Sequence, residues 1–225
     1  MTPIYSPTQI SAYMADPAEW RRVYLERVRP PPRPGHIIGA AVHRLLAGYL
    51  RGVVAIKPPG PALTWRGHRW YPHTIAASGL HLLPPPGSVK VEVRHRFKVG
   101  GAQFVAVADA EAVGLIFDHK LVEDLSAVLA PKQLLEDCQA ALLAHEHLVR
   151  TGLAGVTLRW IYYRRDGRQA EAVEAVATQE LTELVGVKIL DTCAKMGRER
   201  AACLKTSKTS CGNSVARQIC FPIPA

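Results

Sequence analysis

Asp109, Asp118 and Lys120 are the residues whose types and spacing point most directly to chemistry. Asp109 closes a strand-like stretch, AQFVAVADAEAVG, and Asp118-His119-Lys120 lies in the next, GLIFDHKLVED. The connection from Glu111 to Gly114 is short enough for a hairpin, whose antiparallel arms would bring the two carboxylates together. Asp118 and Lys120, two apart on a strand, point to one face. Two converging carboxylates and one ammonium are what a Mg2+-dependent phosphodiesterase needs. Hard oxygens hold the ion, the ion activates a water and neutralises the scissile phosphate, and the ammonium holds that water or stabilises the phosphorane. Asp-x-Lys by itself also stands on many solvated strand edges, so its surroundings decide.

Those surroundings read as a mixed α/β domain. Ser6 and Pro7 open a helix over 7–28 that Pro17 must kink or restart, and 37–52 is a second helix with Ile38, Val42, Leu45, Leu46 and Tyr49 on its apolar face and His43 beside it. Alternating strands begin at 88 and include SVKVEVRHRFKV. A long helix covers 131–151, two further strands follow at TLRWIYYRRDG and QAEAVEAVATQ, and a last helix spans 179–200. Three proline blocks, at 30–34, 58–61 and 84–86, divide the first 90 residues into short pieces. Residues 1–200 form one domain in this reading, and 201–225 an irregular, cysteine-containing tail.

The chain has 225 residues, enough for one domain with a real core, and 48% of them are apolar, which excludes wholesale disorder. No run approaches the ~20 apolar residues of a membrane span, and the first residues do not read as a secretory signal. Five cysteines, an odd number, argue against a secreted disulfide framework and for a reducing cytoplasm. The net charge of +9 suits a polyanionic partner such as nucleic acid, although excess arginine also serves solubility. Arg21, Arg22, Arg27, Arg29, Arg33, Arg44, Arg94 and Arg96 are placed to track a phosphate backbone. His145 and His147 lack zinc-helix spacing and read as helix surface, and Trp160, Tyr162 and Tyr163 as core packing.

Five segments in order resemble the RecB-like branch of the PD-(D/E)XK nuclease superfamily. They are SPTQISAYMADPAEWRRVYL, IGAAVHRLLAGYL with Gly39 and His43, VKVEVRHRF with Glu92 before Phe97, FVAVADAEAVGLIFDHK, and EDCQAALLAHEHL. The resemblance runs from about Ser6 to about Tyr163 and implies a restriction-endonuclease-like core, a central mixed β-sheet flanked by α-helices. It implies a Mg2+ or Mn2+ ion held by His43, Asp109, Asp118 and the His119 carbonyl, with Lys120 as the catalytic lysine. Gln139 would orient Lys120 or the DNA, and Glu92 would be a further acidic residue at the site. The chain departs from the family pattern at Ala106, His119 and Leu143, where glycine and tyrosines are usual.

Many members of that family hold an iron–sulfur cluster whose first cysteine precedes a proline, and Asp16-Pro17 stands there in this chain. No iron–sulfur cluster is therefore expected. A cluster or zinc on Cys193, Cys203, Cys211 and Cys220 is the alternative to free thiols in a loose tail. The function implied is a metal-dependent DNA nuclease, an exonuclease above all, acting in DNA processing, recombination or repair in a bacterial or phage-infected cell. The competing reading is a catalytically weak or inactive DNA-binding protein on a nuclease scaffold, a subunit of a recombination complex. A recombinase, a helicase or a single-strand-binding protein would be its protein partner, since no helicase motor is present in the sequence.

Overall fold

The computed structural model describes residues 3–28 and 30–210, with side chains to Cys203. Arg29, Cys211 and Cys220 lie outside the described residues. The elements run β1 (Ile4–Tyr5), α1 (Pro7–Ala15), α2 (Pro17–Trp20), a π-helical turn (Arg21–Leu25), α3 (Pro34–Leu50), β2 (Leu63–Trp65), β3 (His68–Trp70) and α4 (Pro72–Ala77). There follow a 3-10 turn (Leu80–Leu82), β4 (Lys90–Val99), β5 (Ala102–Ala112), β6 (Leu115–Val122), a second 3-10 turn (Leu125–Ala127), α5 (Pro131–Glu136), α6 (Cys138–Thr151), β7 (Gly155–Arg164), β8 (Ala170–Thr178) and α7 (Gln179–Ser210).

Local chemistry sets the helix boundaries. Ser6 caps α1 by accepting from the Gln9 N–H, and Asp16 caps α2 by accepting from Ala18 and Glu19. The helix expected over 131–151 is broken. Asp137 leaves helical geometry (ψ 132°) and caps α6 by accepting from the Ala140 N–H. The last helix continues to Ser210, past the point where the sequence pattern places the start of the tail.

β4 through β8 lie side by side in chain order, with β1 added beside β5. β6 and β7 run parallel through the α5–α6 crossover, and the β4–β5, β5–β6 and β7–β8 pairs are antiparallel, so the sheet is mixed. One edge of β5 pairs with β4 from Ala102 to Glu111, interrupted at Asp109. Its other edge is divided. β6 pairs only with its last residues, from Ala110↔Phe117 to Ala112↔Leu115, and β1 pairs with Gln103 and Phe104 near its start. Between these pairings β5 and β6 part.

Helices cover both faces. Ile38, Val42, Leu46 and Leu50 of α3, with Ile75 and Ala76 of α4, bury against Ala110, Phe117, Ile161 and Tyr163. Leu134, Leu143, Ala144 and Leu148 of α5 and α6 bury against Ile116, Leu158, Trp160 and Tyr162 on the opposite face. A third cluster joins α1, α2, α6 and α7 through Tyr13, Trp20, Leu142, Ile189 and Met196.

The alternation of the β4–β5 ribbon reverses once. Ala106 and Ala108 face α6, but Ala110, also even-numbered, faces α3. The reversal falls at the position where Asp109 stands opposite Glu92, a non-glycine residue with φ +53°.

α3 is the element that carries His43, and its buried stripe holds it on the sheet. Leu46→Ala removes a fully buried side chain from that contact. It should destabilise the protein by about 2–5 kcal/mol in chemical denaturation, and a loss under about 1 kcal/mol would contradict this packing.

Candidate active site

The fork between β5 and β6 exposes backbone groups that no ladder satisfies. The His119 N–H, just past the last β5–β6 pair, donates instead to Asp109 Oδ2 at 2.8 Å. The same oxygen lies 3.3 Å from His43 Nδ1. Val42 and Leu46 bury α3 on the sheet, and His43, next to Val42 in sequence, reaches the fork from the margin of that stripe. Burial disfavours the His43 imidazolium, but the Asp109 hydrogen bond and charge outweigh it and raise the His43 pKa. Burial likewise opposes the Asp109 carboxylate, and the bond to His43 overcomes it and keeps the Asp109 pKa low.

Asp118 and Lys120 share the other face of β6. Lys120 Nζ lies 2.7 Å from Asp118 Oδ2 and donates to Gln139 Oε1 at 2.8 Å, while Gln139 Nε2 donates to Asp118 Oδ1 at 2.6 Å. The break at Asp137 makes this triangle possible, because it starts α6 at Cys138 and sets Gln139 in its first turn. Burial, with Asp109 as a negative neighbour, pushes the Asp118 pKa up to about 6 against the pull of Lys120. Burial disfavours the Lys120 ammonium, and the Asp118 charge and hydrogen bond more than offset it, so Lys120 stays protonated.

The His119 side chain points the opposite way from Asp118. Its ring packs edge-on to His43 and to Tyr163, at centroid distances of 5.9 and 5.7 Å, and burial drops its pKa to about 4. Glu92 lines a small cleft with His43, Ala47, Asp109 and His119, and its carboxylate is paired with Arg51.

All the residues expected at the site therefore lie around the fork, in two groups. His43, Asp109, His119 and Glu92 form one, and Asp118, Lys120 and Gln139 the other. The donor chemistry suits Mg2+ or Mn2+. Both carboxylates offer hard oxygens, and Asp118 Oδ2 is buried beside the Lys120 ammonium. The side chains are not drawn onto one point, however. Among the described residues no three His, Cys, Asp or Glu side chains are gathered as a metal requires.

Several expectations need correction. His147 is buried, not on the helix surface. It accepts from the Gly114 N–H and sits with His95, Glu111 and Arg150 behind the β5–β6 turn. Only sequence spacing argued for its exposure, and spacing does not reveal which helix face meets the sheet. Arg21 and Arg22 are tied to Glu199 and Glu19. Arg44, Arg94 and Arg96 are exposed. Cys138 and Cys193 are core thiols, pushed up to about 12 by burial. The sequence reading missed Arg51. Its only signal was a lone arginine after α3.

Among the described residues no helix is long and apolar enough to cross a membrane. No protein-family model matches the chain, and no curated protein matches it. Among solved structures, a "Putative exonuclease" from Eubacterium rectale is similar over 84% of this chain and 81% of its own, at 13% identity and a TM-score of 0.52. The crystal structure of SSO0001 aligns over 87% of this chain and 77% of its own, at 12% identity and a TM-score of 0.45. The first similarity shows a shared fold, an α/β core with a central mixed sheet flanked by helices.

The raised pKa of Asp118 has a measurable consequence. In metal-free protein its side-chain carboxyl should titrate near pH 6 by carbon NMR. The native state takes this proton before the unfolded state does. This group's contribution to stability is therefore present in acid and is lost as pH rises through about 6. A midpoint in the ordinary carboxylate range would contradict the buried placement.

Proposed function

We propose that this protein is a Mg2+- or Mn2+-dependent DNA nuclease, an exonuclease of the RecB-like type that hydrolyses phosphodiester bonds in DNA processing, recombination or repair. The observation that carries the reading is the Lys120 ammonium held beside Asp118 by Gln139, across the fork from Asp109 and His43. An ammonium so placed is the electrostatic partner that a pentacovalent phosphorane requires.

Asp109, Asp118 and His43, with the His119 carbonyl, would hold the ion, which when bound lowers the pKa of water and offsets phosphate charge. In the hydrolysis the oxygen of a water bonds to phosphorus, the bond from phosphorus to the departing nucleotide oxygen breaks, and that oxygen receives a proton. Lys120 offsets the charge that grows on the phosphoryl oxygens and holds the incoming water. Gln139 fixes the Lys120 ammonium by accepting from it and fixes Asp118 by donating to it. The fold shared with the exonuclease-named structure is compatible with this reading.

One observation favours the second reading, a DNA-binding scaffold without activity. The side chains of His43, Asp109 and Asp118 are not gathered on one point. Hydrolysis of labelled linear and circular DNA with Mg2+ or Mn2+ separates the two. The nuclease reading expects cleavage that chelation abolishes and added Mn2+ restores. Lys120→Ala should lower turnover at least about a hundredfold while DNA binding persists. Cleavage at the parent rate by Lys120→Ala would remove Lys120 from the mechanism, and no cleavage by the parent with either ion would favour the inactive scaffold.

A further inference from the structure

The excess positive charge of this chain is confined to one stretch. Between Glu26 and Glu92 stand nine Lys or Arg and no Asp or Glu, which equals the net charge of +9 of the whole chain. That stretch builds α3, the β2–β3 hairpin and α4, the layer that packs on one face of the sheet and supplies His43.

The hairpin is the feature of that layer that the proposed hydrolysis does not use. It forms its own two-stranded sheet, apart from the six-stranded one, with Leu63↔Trp70, Thr64↔Arg69 and Trp65↔His68 paired. Leu63 and Trp70 anchor it to the α3 core cluster. Its tip extends beyond that anchor. Among the described residues Trp65 belongs to none of the core clusters, and a Cβ at Gly67 would meet nothing within 4 Å.

Cross-strand pairing puts Trp65, His68 and Trp70 on one face, and the His68 and Trp70 rings lie 5.6 Å apart. The Arg66 guanidinium lies 4.4 Å from the centre of the Trp65 ring, and that of Arg69 lies 5.8 Å from Tyr71. Both arginines are exposed and neither has a carboxylate partner among the described residues, whereas Arg51, Arg150 and Arg159 are all ion-paired. Both loop residues have positive φ, Arg66 +48° and Gly67 +80°, as a type I′ hairpin turn requires. Asn, Asp or Gly is the usual residue at the first of these positions. An arginine there accepts backbone strain while presenting a cation at the tip.

We propose that the β2–β3 hairpin is a single-stranded DNA platform, on which bases stack against Trp65 and His68 while Arg66 and Arg69 meet the backbone phosphates. Every base has a π-face, so a row of rings flanked by unpaired cations grips a single strand without reading its sequence. A duplex keeps its bases stacked on one another and gains only the phosphate contacts. The inference rests on the nuclease reading for its purpose, which is to hold a strand on the layer that carries His43.

The test is fluorescence anisotropy with the full chain, without divalent ions, so that binding is read apart from hydrolysis. The probes are a labelled oligo-dT of about 20 nucleotides, longer than a single platform's span, and a duplex of equal length. Trp65→Ala should weaken oligo-dT binding about tenfold or more and leave duplex binding nearly unchanged. Arg66→Ala with Arg69→Ala should lower the salt slope of oligo-dT binding by about 1.4, two single-strand phosphate contacts. Should Trp65→Ala melt below the parent, the double arginine variant decides by its slope. Trp65→Ala binding like the parent, or losing duplex as much as oligo-dT, or an unchanged slope in the double variant, overturns the platform. A parent that binds neither probe overturns the nuclease reading with it, whereas a parent that binds both and ignores the hairpin overturns this inference alone.

Discussion

The hydrogen bond from the His119 N–H to the Asp109 carboxylate holds the site open. A strand that leaves its neighbour exposes donors that must be satisfied, and a buried amide without a partner costs about 1–3 kcal/mol. Had Asp109 been apolar, the same donor would favour zipping β6 further along β5, and the fork would close. The carboxylate takes the place of a ladder acceptor, and the bond that ends the pairing also fixes the Asp109 oxygen that His43 meets. From the other end β1 occupies the vacant edge of β5 at Gln103 and Phe104, so the fork is bounded on both sides.

Strand alternation then explains why both helical layers contribute. Asp118 and Lys120 face α6 and His119 faces α3, so side chains from one strand reach opposite layers. They can address one point only where the sheet is interrupted. Each layer supplies one polar residue at that interruption, His43 from α3 and Gln139 from α6. Asp118 is 2% exposed, and such a charge is tolerable only when paired and hydrogen-bonded. Lys120 and Gln139 meet both conditions, and removing either would cost each of the other two members of the triangle one of its two partners in a poorly solvated place.

The element order and the residues around the fork were legible in the sequence because periodicity and punctuation are strong there. Alternating valines and alanines marked β4 and β5, Pro7 and Pro17 marked helix starts, and Asp118-x-Lys120 needed only the strand period to share a face. The features that were not legible depend on contacts between distant segments. The break at Asp137 is invisible to an apolar pattern that continues through it from Leu134 to Leu142. The face reversal at Glu92 and Asp109 has no signature, since neither residue is glycine. His147 looked polar and exposed because its partners, Gly114 and Glu111, are more than thirty residues away. The short β2–β3 pair has only three residues per arm, too few for alternation to register.

Glu92 and Arg66 share a physical logic. Each is a non-glycine residue with positive φ, a conformation that costs about 1–3 kcal/mol and persists only when its surroundings impose it. At Glu92 the imposing contacts are the β4–β5 ladder on both sides and the Arg51 ion pair, and the result is a residue at the margin of the cleft of His43 and Asp109. At Arg66 the imposing contact is the two-residue loop itself, and the result is a cation displayed at the hairpin tip. The backbone strain thus places a paired negative group at the cleft's margin and a positive one at the hairpin tip. This matches the charge of the whole layer, where carboxylates are absent from the covering stretch while Glu92, Asp109 and Asp118 lie on the strands beneath. Positive charge so placed favours anions at the α3 layer, whereas at the fork Asp109 and Asp118 are set against His43 and Lys120.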